Sequence, residues 1–282
     1  METFELRYFL GVAETENIHQ ASEKLYVSPG SLSKAIARLE EELQVNLFHR
    51  QGRGIRLTHE GRLLQKRASE IVRLEESARL ELSGVQGKVV VKIAGPEILL
   101  SHWGVNLTTE LQERYPLMQF EFISCDERMA IQKIENGEVH LAFVTDQEYS
   151  KEISYKNVGH TTFKTFVSKK HKLGKKKKIH VDELLLNSFV SPNNPFLGKV
   201  GSKQSLDGWR DDEFPRKISF LSSSLKVLEQ MVLTGRAVAY LPEYLGESLG
   251  FETLLVEGCP YTCTQKVKIA TRNPKELTWM DW

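Results

Sequence analysis

Apolar side chains over residues 4–83 recur every three or four positions, which is the spacing of amphipathic helices. The pattern predicts a helix over 4–14, two helices joined by a short turn over 17–43, and a long helix from 59 to about 82. Residues 55–57 alternate between apolar and polar, as in a short strand. The N-terminal part is therefore predicted to be helical with one small hairpin.

The two helices of 17–43 carry their own start signals. Asn17 can cap the first helix, with Gln20 at capping-box spacing. Ser28 followed by Pro29 starts the second, because proline at the first helical position lacks only an N–H that would have no helical partner. Apolar residues one turn apart predict the buried stripe of the second helix: Leu32, Ile36, Leu39 and Leu43.

The opposite face of this second helix is short, polar and basic near its start. It carries Gly30, Ser33, Lys34 and Ala37, with Arg38 at its flank. Such a face is typical of a helix that enters a DNA groove. A plain helical hairpin within a core is the alternative interpretation of this pattern alone.

Positive charge is concentrated just after the helix pair. The whole chain has 282 residues and a net charge of only +1, so DNA binding must depend on local charge. Between residues 50 and 67 one acidic residue, Glu60, stands against six basic ones: Arg50, Arg53, Arg56, Arg62, Lys66 and Arg67. A glycine-rich basic turn before a short strand predicts a wing that contacts backbone phosphates. A solvated turn without a partner is the alternative.

The long helix of about 25 residues would extend about 37 Å. Its apolar positions are Leu63, Leu64, Ala68, Ile71, Val72, Leu74, Ala78 and Leu82. So small an N-terminal domain cannot cover that length, and a second copy of the same helix is the simplest partner. The pattern therefore predicts a dimer that reads two half-sites.

After a glycine-containing linker at 84–88 the pattern changes to strands alternating with helices. Strands are predicted at 89–94, 119–125, 141–144, 163–168, 188–191, 237–241 and 266–270, and helices at 98–114, 129–136 and 225–234. This order is typical of open sheets with helices on both faces, in which ligands bind at the carboxyl ends of the strands. The last strand is expected to return to the first of two α/β units.

Several classes of protein are disfavoured by the composition. The N-terminus is polar and amphipathic, and no apolar run is long enough to span a bilayer, so a cytoplasmic protein is expected. Cys125, Cys259 and Cys263 imply no disulfide framework, and neither a zinc site nor a thiol switch is favoured over ordinary thiols. No histidine lies in a nucleophile or metal spacing and no phosphate loop appears. No catalytic residue, metal or cofactor is predicted.

The N-terminal 80 residues resemble the DNA-binding domain of LysR-type transcriptional regulators. The matching stretches are LRYFLGVAE, ASEKLYVS, LSKAIARLEEEL, LFHR and GRGIRLTHEG. Weaker similarity continues through ELQERYP, IENGEVHLAFV, KKHKLGKKKKIHVDELL and LEQMVLTGRAVAYLPEYL. The resemblance implies an α+β multi-domain protein: a winged helix-turn-helix with a long dimerisation helix, then a two-lobed α/β regulatory domain like periplasmic binding proteins.

This resemblance sets the expected domain boundaries. The DNA-binding domain would span 1–58, the dimerisation helix 59–83 and the hinge 84–88. Regulatory lobe 1 would comprise 89–161 and 267–282, and lobe 2 would comprise 162–266. The end of the chain departs from the family, because only a short segment ending in WMDW stands where relatives usually add a helix.

The expected DNA-contacting residues follow from position in the resemblance: Gly30, Ser31, Ser33, Lys34, Arg38, Arg50 and Arg53. The family usually has Gln-Pro or Gln-Ser where this chain has Pro29 and Gly30, so the DNA sequence it reads is expected to be unusual. The lysine run at 175–178 falls in a surface loop of lobe 2 and is interpreted as solvated.

Residues at predicted strand ends are the candidates for binding an effector: Pro96, Glu97, Ile98, Ser124, Asp126, Ser191, Asn193, Ser222 and Ser223. Glu97 and Asp126 stand where relatives often carry serine or threonine. An uncharged or cationic effector, or none, is therefore the hypothesis. A helix cap before Leu225 is the alternative role of the run Ser222 to Ser224.

The leading hypothesis is a sequence-specific, dimeric or tetrameric transcriptional regulator of LysR type that binds double-stranded DNA and is controlled by a small molecule bound between the lobes. The alternative is a small-molecule binding protein with altered or lost DNA regulation. An enzyme is a third and disfavoured class.

Overall fold

The structure is a computed structural model that describes residues 1–52, 54–83, 90–145, 150, 152–194, 203–277 and 279–280. Within these ranges, no helix is both long enough and apolar enough to cross a membrane. The predicted hinge at 84–88 and the wing residue Arg53 lie outside the described residues.

Three helices form the start of the chain, as the sequence predicts: α1 Thr3–Thr15, α2 Ile18–Leu25 and α3 Pro29–Leu43. Asn17 caps α2, its side chain accepting the N–H groups of His19 and Gln20. Tyr26 adopts a left-handed conformation in the turn (φ 56°), and Ser28 caps α3 by accepting the N–H of Ser31. The local start signals therefore place the helix pair as expected.

The core of this domain confirms most of the predicted stripe on α3. Leu32, Ile36 and Leu39 are buried, and they pack with residues of α1 such as Phe9 and Val12. The prediction is wrong for Leu43, the last residue of the helix, which is exposed.

The predicted wing is a two-stranded antiparallel hairpin of β1 Phe48–Gln51 and β2 Gly54–Leu57. Its base is fixed by the carboxylate of Glu40, which accepts the N–H of Leu47 at 2.7 Å and that of Phe48 at 3.2 Å. The Glu40 side chain is therefore turned towards the protein and away from the wing tip.

Helix α4 His59–Ser83 follows, with Thr58 accepting the N–H of Gly61 at 2.9 Å. Its start packs tightly on the wing. A Cβ atom at Gly61 would overlap the carbonyl oxygen of Leu47, so only glycine fits this close approach. The same carbonyl accepts the N–H of Thr58 at 3.0 Å.

The next part of the chain forms an α/β unit. Its elements are β3 Val90–Gly95, α5 Glu97–Leu99, α6 Val105–Arg114, β4 Gln119–Ser124, α7 Glu127–Asn136 and β5 Leu141–Val144. The single helix predicted over 98–114 is interrupted by a π-helical turn at Leu100–Gly104. Strand β3 runs parallel to both β4 and β5, as the alternating pattern predicts.

The remaining described elements are β6 Ser154–Val167, β7 Lys178–His180, α8 Val181–Leu185, β8 Ser188–Pro192, β9 Lys217–Ser222, α9 Leu225–Leu233, β10 Ala239–Pro242, α10 Glu243–Ser248, β11 Glu252–Glu257 and β12 Thr264–Thr271. The strand predicted at 163–168 is only the end of the much longer β6. Strands β7, β9 and β11 and the short helices α8 and α10 were not predicted.

Strands β6 and β12 connect the two halves of the regulatory region. All of β12 pairs antiparallel with residues 154–162 of β6, with an irregularity between Val267 and Lys268, and the rest of β6 pairs with β10 and β11. Strand β12 also pairs with β5, which confirms the predicted return to the first unit. The predicted boundaries between lobes 1 and 2, after residue 161 and after residue 266, fall within these two strands and stay a prediction. After β12 the chain makes a 3-10 turn at Pro274–Glu276, and Trp279 is buried.

Candidate nucleic-acid interface and effector cleft

A cleft of about 640 Å³ lies between the starts of α2 and α3 and the wing. It brings together three residues that the sequence predicts to contact DNA: Gly30, Ser33 and Arg50. Asn17 and His19 line the same cleft and were not among the residues predicted to contact DNA. The sequence held one signal for both residues, because they lie at the capped start of a helix. Helix starts present polar side chains and N–H groups to anions.

The other predicted DNA contacts surround this cleft. Lys34 is exposed on α3, and the hydroxyl of Ser31 is within 2.8 Å of the Ser28 hydroxyl. Arg38 is also exposed, but a guanidinium nitrogen lies 3.4 Å from the buried carboxylate of Glu5, which draws the side chain back towards α1. Arg56 on the wing pairs with Glu16. Among the described residues that line the cleft, Arg50 is the one arginine or lysine, and the acidic Glu16 lines it as well.

The start of α3 is sterically open. The nearest side-chain atom to a Cβ built at Gly30 is the Ser28 hydroxyl oxygen at 3.9 Å. Pro29 and Gly30 carry no hydrogen-bonding side chain, and beyond Ser31 the next exposed polar side chains of α3 are those of Ser33 and Lys34.

Helix α4 exposes much of its predicted apolar stripe. Ala68 and Val72 are buried against α1 and the wing domain, whereas Leu63, Ile71 and Leu74 are 56%, 40% and 64% exposed. Leu82 near the helix end is also exposed. A surface of this kind along one long helix is suited to packing against another helix.

In the first α/β unit, the carboxyl ends of β3 and β4 lie side by side. Gly95 pairs with Ser124, and the Cys125 N–H donates to the Gly95 carbonyl at 3.0 Å. Exposed Glu97 and Asp126 immediately follow these strand ends, whereas Pro96 and Ile98 are buried. Asp126 also caps α7 by accepting the Met129 N–H at 2.9 Å.

The second predicted group of effector residues lies at the ends of β8 and β9. Pro192 pairs with Ser222, and the Asn193 N–H donates to the Ser222 carbonyl at 3.0 Å. Asn193 and Ser223 are exposed. Ser222 is buried and bonded to the backbone of Ser224, which caps α9, so the helix-cap alternative holds for this end of the run.

Ser191 has a structural partner that the sequence did not reveal. Its hydroxyl lies 3.2 Å from the carboxylate of Asp207, which pairs with the fully buried Arg216 at 2.7 Å. The Arg216 guanidinium lies 5.3 Å from the ring centres of both Phe189 and Trp209. The Ser191 hydroxyl is therefore engaged by this buried ion pair.

The two halves of the regulatory region touch through aromatic residues near the π turn. His102 stacks on Tyr244 of α10 with ring centres 4.3 Å apart. The Tyr244 hydroxyl donates to the Ile98 carbonyl at 3.3 Å. These contacts hold α10 against the helix that begins at the end of β3.

The three cysteines are free thiols. Burial raises the pKa of Cys125, and burial also raises the pKa of Cys263 to about 11. Both groups are therefore mostly protonated at neutral pH, which disfavours a reactive thiolate. Among the described residues no group of three or more His, Cys, Asp or Glu side chains is placed to hold a metal ion.

A winged helix-turn-helix on a long helix, joined to a two-part α/β region, is the architecture of ligand-controlled DNA-binding regulators. Residues 4–62 match the family described as "Bacterial regulatory helix-turn-helix protein, lysR family", and residues 86–278 match the "LysR substrate binding domain". The chain belongs to the LysR family of transcriptional regulators.

Individual relatives agree with this assignment. The chain is 28% identical over 246 residues to the transcriptional dual regulator GltC of Bacillus subtilis, covering 86% of this chain and 81% of GltC. A full-length OxyR variant from Pseudomonas aeruginosa has a TM-score of 0.67 at 22% identity, covering 96% of this chain and 89% of that one. Full-length LysG from Corynebacterium glutamicum with bound effector Arg has a TM-score of 0.62 at 18% identity, covering 96% and 91%.

Proposed function

We propose that this regulator binds DNA with the start of α3 in a major groove and with the cleft between α2, α3 and the wing on the adjoining phosphates. The observation that carries the proposal is the convergence of Gly30, Ser33 and Arg50 on that cleft. Arg50 supplies phosphate contact, while Ser33 and Lys34 reach base edges. Because Pro29 and Gly30 offer no side-chain hydrogen bonds, DNA shape contributes a large share of the specificity.

The exposed apolar side chains of α4 support a homodimer. Leu63, Ile71 and Leu74 lie along one helix and are 56%, 40% and 64% exposed. Pairing of two α4 helices would bury them and hold two winged domains at a fixed separation, as successive half-sites require. A tetramer would need further contacts between regulatory lobes. DNA binding places the protein in the cytoplasm, and the proposed function includes no catalytic step.

Removing the wing charge is expected to weaken DNA binding uniformly across sequences. DNA selected from a random pool by the wild-type protein is the probe. In gel-shift titrations at several salt concentrations, Arg50→Ala should bind this DNA roughly tenfold more weakly. The slope of log affinity against log salt should fall by about one for each subunit bound, because one phosphate contact is lost.

The matched control for this experiment is Lys175→Ala, an exposed lysine in the run at 175–178. It should bind like the wild type if the run is solvated. An unchanged salt slope in Arg50→Ala would contradict the proposed phosphate contact. Failure of the wild type to enrich any DNA would favour the second candidate, a small-molecule binding protein with lost DNA regulation, whose support is the unusual pair Pro29 and Gly30.

For the effector we propose an uncharged or cationic small molecule bound where β3, β4, β8 and β9 end. The exposed carboxylates of Glu97 and Asp126 follow the adjacent ends of β3 and β4, so an anionic ligand would meet like charge there. The cationic amino acid bound by the structural relative LysG is consistent with such a site.

Isothermal calorimetry is expected to distinguish ligand charge. Among a panel that includes arginine, neutral amino acids and succinate, the dicarboxylate should bind least tightly. Glu97→Gln and Asp126→Asn should weaken binding of a cationic ligand by about fivefold to tenfold each, since a charged hydrogen bond is replaced by a neutral one. Asp126→Asn preserves the cap of α7, because asparagine is as good a cap. Tight binding of succinate by the wild type would refute the proposed charge preference.

A further inference from the structure

A cavity of about 420 Å³ lies between the N-terminal helices and the first α/β unit. Helices α1 and α2 form one wall, β3, β4 and the end of α7 form the opposite wall, and α4 forms a third. Small-molecule sites in proteins typically have volumes of about 300–1,000 Å³. None of the described residues that line the cavity is among the effector candidates at the strand ends, so the cavity is separate from the proposed effector cleft.

A close contact between α4 and the end of α7 borders the cavity. Gly137 has φ +76°, and a Cβ atom there would overlap the side chain of Ser69 on α4, so the two backbones approach as closely as glycine permits. Beside this contact, Arg272 donates to the Lys66 carbonyl at 3.1 Å and to the carboxylate of Glu70. The cavity therefore has a border that close packing holds in place.

Apolar side chains from all three walls form part of the lining. Leu10 and Leu25 belong to α1 and α2, Val72 belongs to α4, and Val90 belongs to β3. Val90 is 41% exposed, so part of this apolar surface is accessible to water. A ligand with a short apolar chain would cover it, which is favourable.

The charged side chains around this apolar surface balance one another. Four basic and four acidic residues line the cavity: Arg7, Lys24, Arg73 and Lys92, and Glu14, Glu76, Glu121 and Glu138. His140 also lines it, and burial lowers the pKa of His140, which keeps the ring neutral at neutral pH. The described lining thus carries equal numbers of positive and negative charges, which disfavours a ligand with a large net charge.

Each of the two opposite walls carries a cation beside an anion. On α1 and α2, the Lys24 ammonium donates to the Glu14 carboxylate at 2.7 Å. On β3 and β4, the Lys92 ammonium lies 3.7 Å from the Glu121 carboxylate. These four side chains are between 25% and 47% exposed, so a ligand in the cavity can reach them.

Opposite charges also attract one another across the cavity. Burial alone would raise the pKa of Glu14, but the hydrogen bond from Lys24 and the positive charges of Lys92 and Lys133 lower it overall. Glu14 belongs to α1, whereas Lys92 and Lys133 belong to the first α/β unit. A ligand with one positive and one negative group can therefore meet a partner of opposite charge on each wall.

We propose that this cavity is a second small-molecule site, which binds a zwitterion with an apolar side chain, in the class of neutral α-amino acids. The ligand carboxylate pairs with a lysine of one wall and the ammonium with a glutamate of the other, while the side chain packs on Leu10, Leu25 and Val90. The ligand joins the N-terminal helices to the first α/β unit. Binding here does not require DNA, so it is measured on the protein alone and is independent of the proposed function.

The first experiment locates the site by filling it. In isothermal calorimetry of the full-length protein with L-leucine, Val90→Trp should lose one bound leucine per chain, because the larger side chain occupies the cavity. Val105→Trp is the matched control, since Val105 of α6 is 47% exposed and lies outside the lining, and it should bind like the wild type. Glu97→Gln alters the proposed effector cleft and should keep the leucine that Val90→Trp loses.

Three results of this experiment would overturn the site. They are a wild-type protein that binds no leucine, equal stoichiometry in the wild type and Val90→Trp, and loss of the same leucine in Glu97→Gln, which would assign it to the effector cleft.

The second experiment tests the two charges of the ligand. Leucinamide keeps the ammonium group but lacks the carboxylate, and 4-methylpentanoate keeps the carboxylate but lacks the ammonium group. At the site that Val90→Trp removes, each should bind at least about tenfold more weakly than leucine, because one charged hydrogen bond is lost. Equal affinity for leucine and either analogue would refute a zwitterionic ligand.

The third experiment removes the lysines without filling the cavity, and it decides the case even if circular dichroism shows that Val90→Trp is unfolded. The double variant Lys24→Gln/Lys92→Gln should bind leucine roughly tenfold more weakly and should lose most of its preference for leucine over leucinamide, a ratio that a purely structural effect would not change. Lys170→Gln/Lys172→Gln, which alters two exposed lysines outside the lining, should bind like the wild type. Unchanged leucine affinity in Lys24→Gln/Lys92→Gln would overturn the proposed pairing with the carboxylate.

Discussion

Gly61→Ala is expected to abolish DNA binding by unfolding or displacing the wing. The added Cβ atom would overlap the Leu47 carbonyl oxygen, which already accepts the Thr58 N–H. Moving that carbonyl breaks the bond and disturbs Leu47, which is fully buried between α1, α3 and α4. Overpacking together with a lost buried hydrogen bond should cost about 3 kcal/mol or more.

Thermal unfolding followed by circular dichroism, with gel shifts on the selected DNA, would measure this effect. Gly30→Ala is the matched control, since its Cβ would enter open space. That variant should keep or raise the melting temperature, with a gain of up to about 1 kcal/mol from helix propensity. If Gly61→Ala melted and bound DNA like the wild type, the close contact between α4 and the wing would be refuted.

Asp207→Ala is expected to destabilise the second α/β unit by about 3–5 kcal/mol, because it leaves a buried guanidinium with part of its charge uncompensated. The Arg216 guanidinium donates to both Asp207 oxygens, at 2.7 and 3.0 Å, and to both oxygens of Asp211, at 2.9 and 2.8 Å. The rings of Phe189 and Trp209 enclose the guanidinium and exclude water. The ends of β8 and β9 depend on this cluster, so effector binding should be lost together with stability.

Urea unfolding followed by tryptophan fluorescence would measure the loss of stability. Asp212→Ala is the control of the same residue type, because its carboxylate pairs with Arg210 at the surface at 2.7 Å, and an exposed pair of this kind should contribute little to stability. Equal urea midpoints for Asp207→Ala and Asp212→Ala would show that the buried pair of Asp207 and Arg216 stabilises the protein no more than the surface pair.

Local signals were sufficient to predict the N-terminal domain. The caps at Asn17, Ser28 and Thr58 and the basic turn before β2 each act within a few residues, so the sequence carries them directly. The exposure of Leu43 could not be read in the same way, because periodicity identifies a face but not where the partner surface ends.

The regulatory region was predicted more completely in its first half than in its second, where β8, α9, β10 and β12 were predicted but β7, β9 and β11 were not. In the first half, apolar strands alternate with well-capped helices, and β3, α7 and β5 lie where the pattern placed them. Strands β9 and β11 have exposed residues over most of their lengths, so their sequences lack the apolar run that marks a buried strand. The link between Ser191 and Asp207 and the contact of Ser69 with Gly137 join residues far apart in sequence, and no local pattern reports them.

The open space at Gly30 has a consequence for how such regulators diverge. A Cβ atom at Gly30 would come no closer than 3.9 Å to another residue, so the start of α3 has room for a side chain. New base contacts can therefore arise by single substitutions that leave the fold and its stability intact. After duplication of the gene, one substitution at this position could give the two copies different target sites, before the ligand that they detect changes.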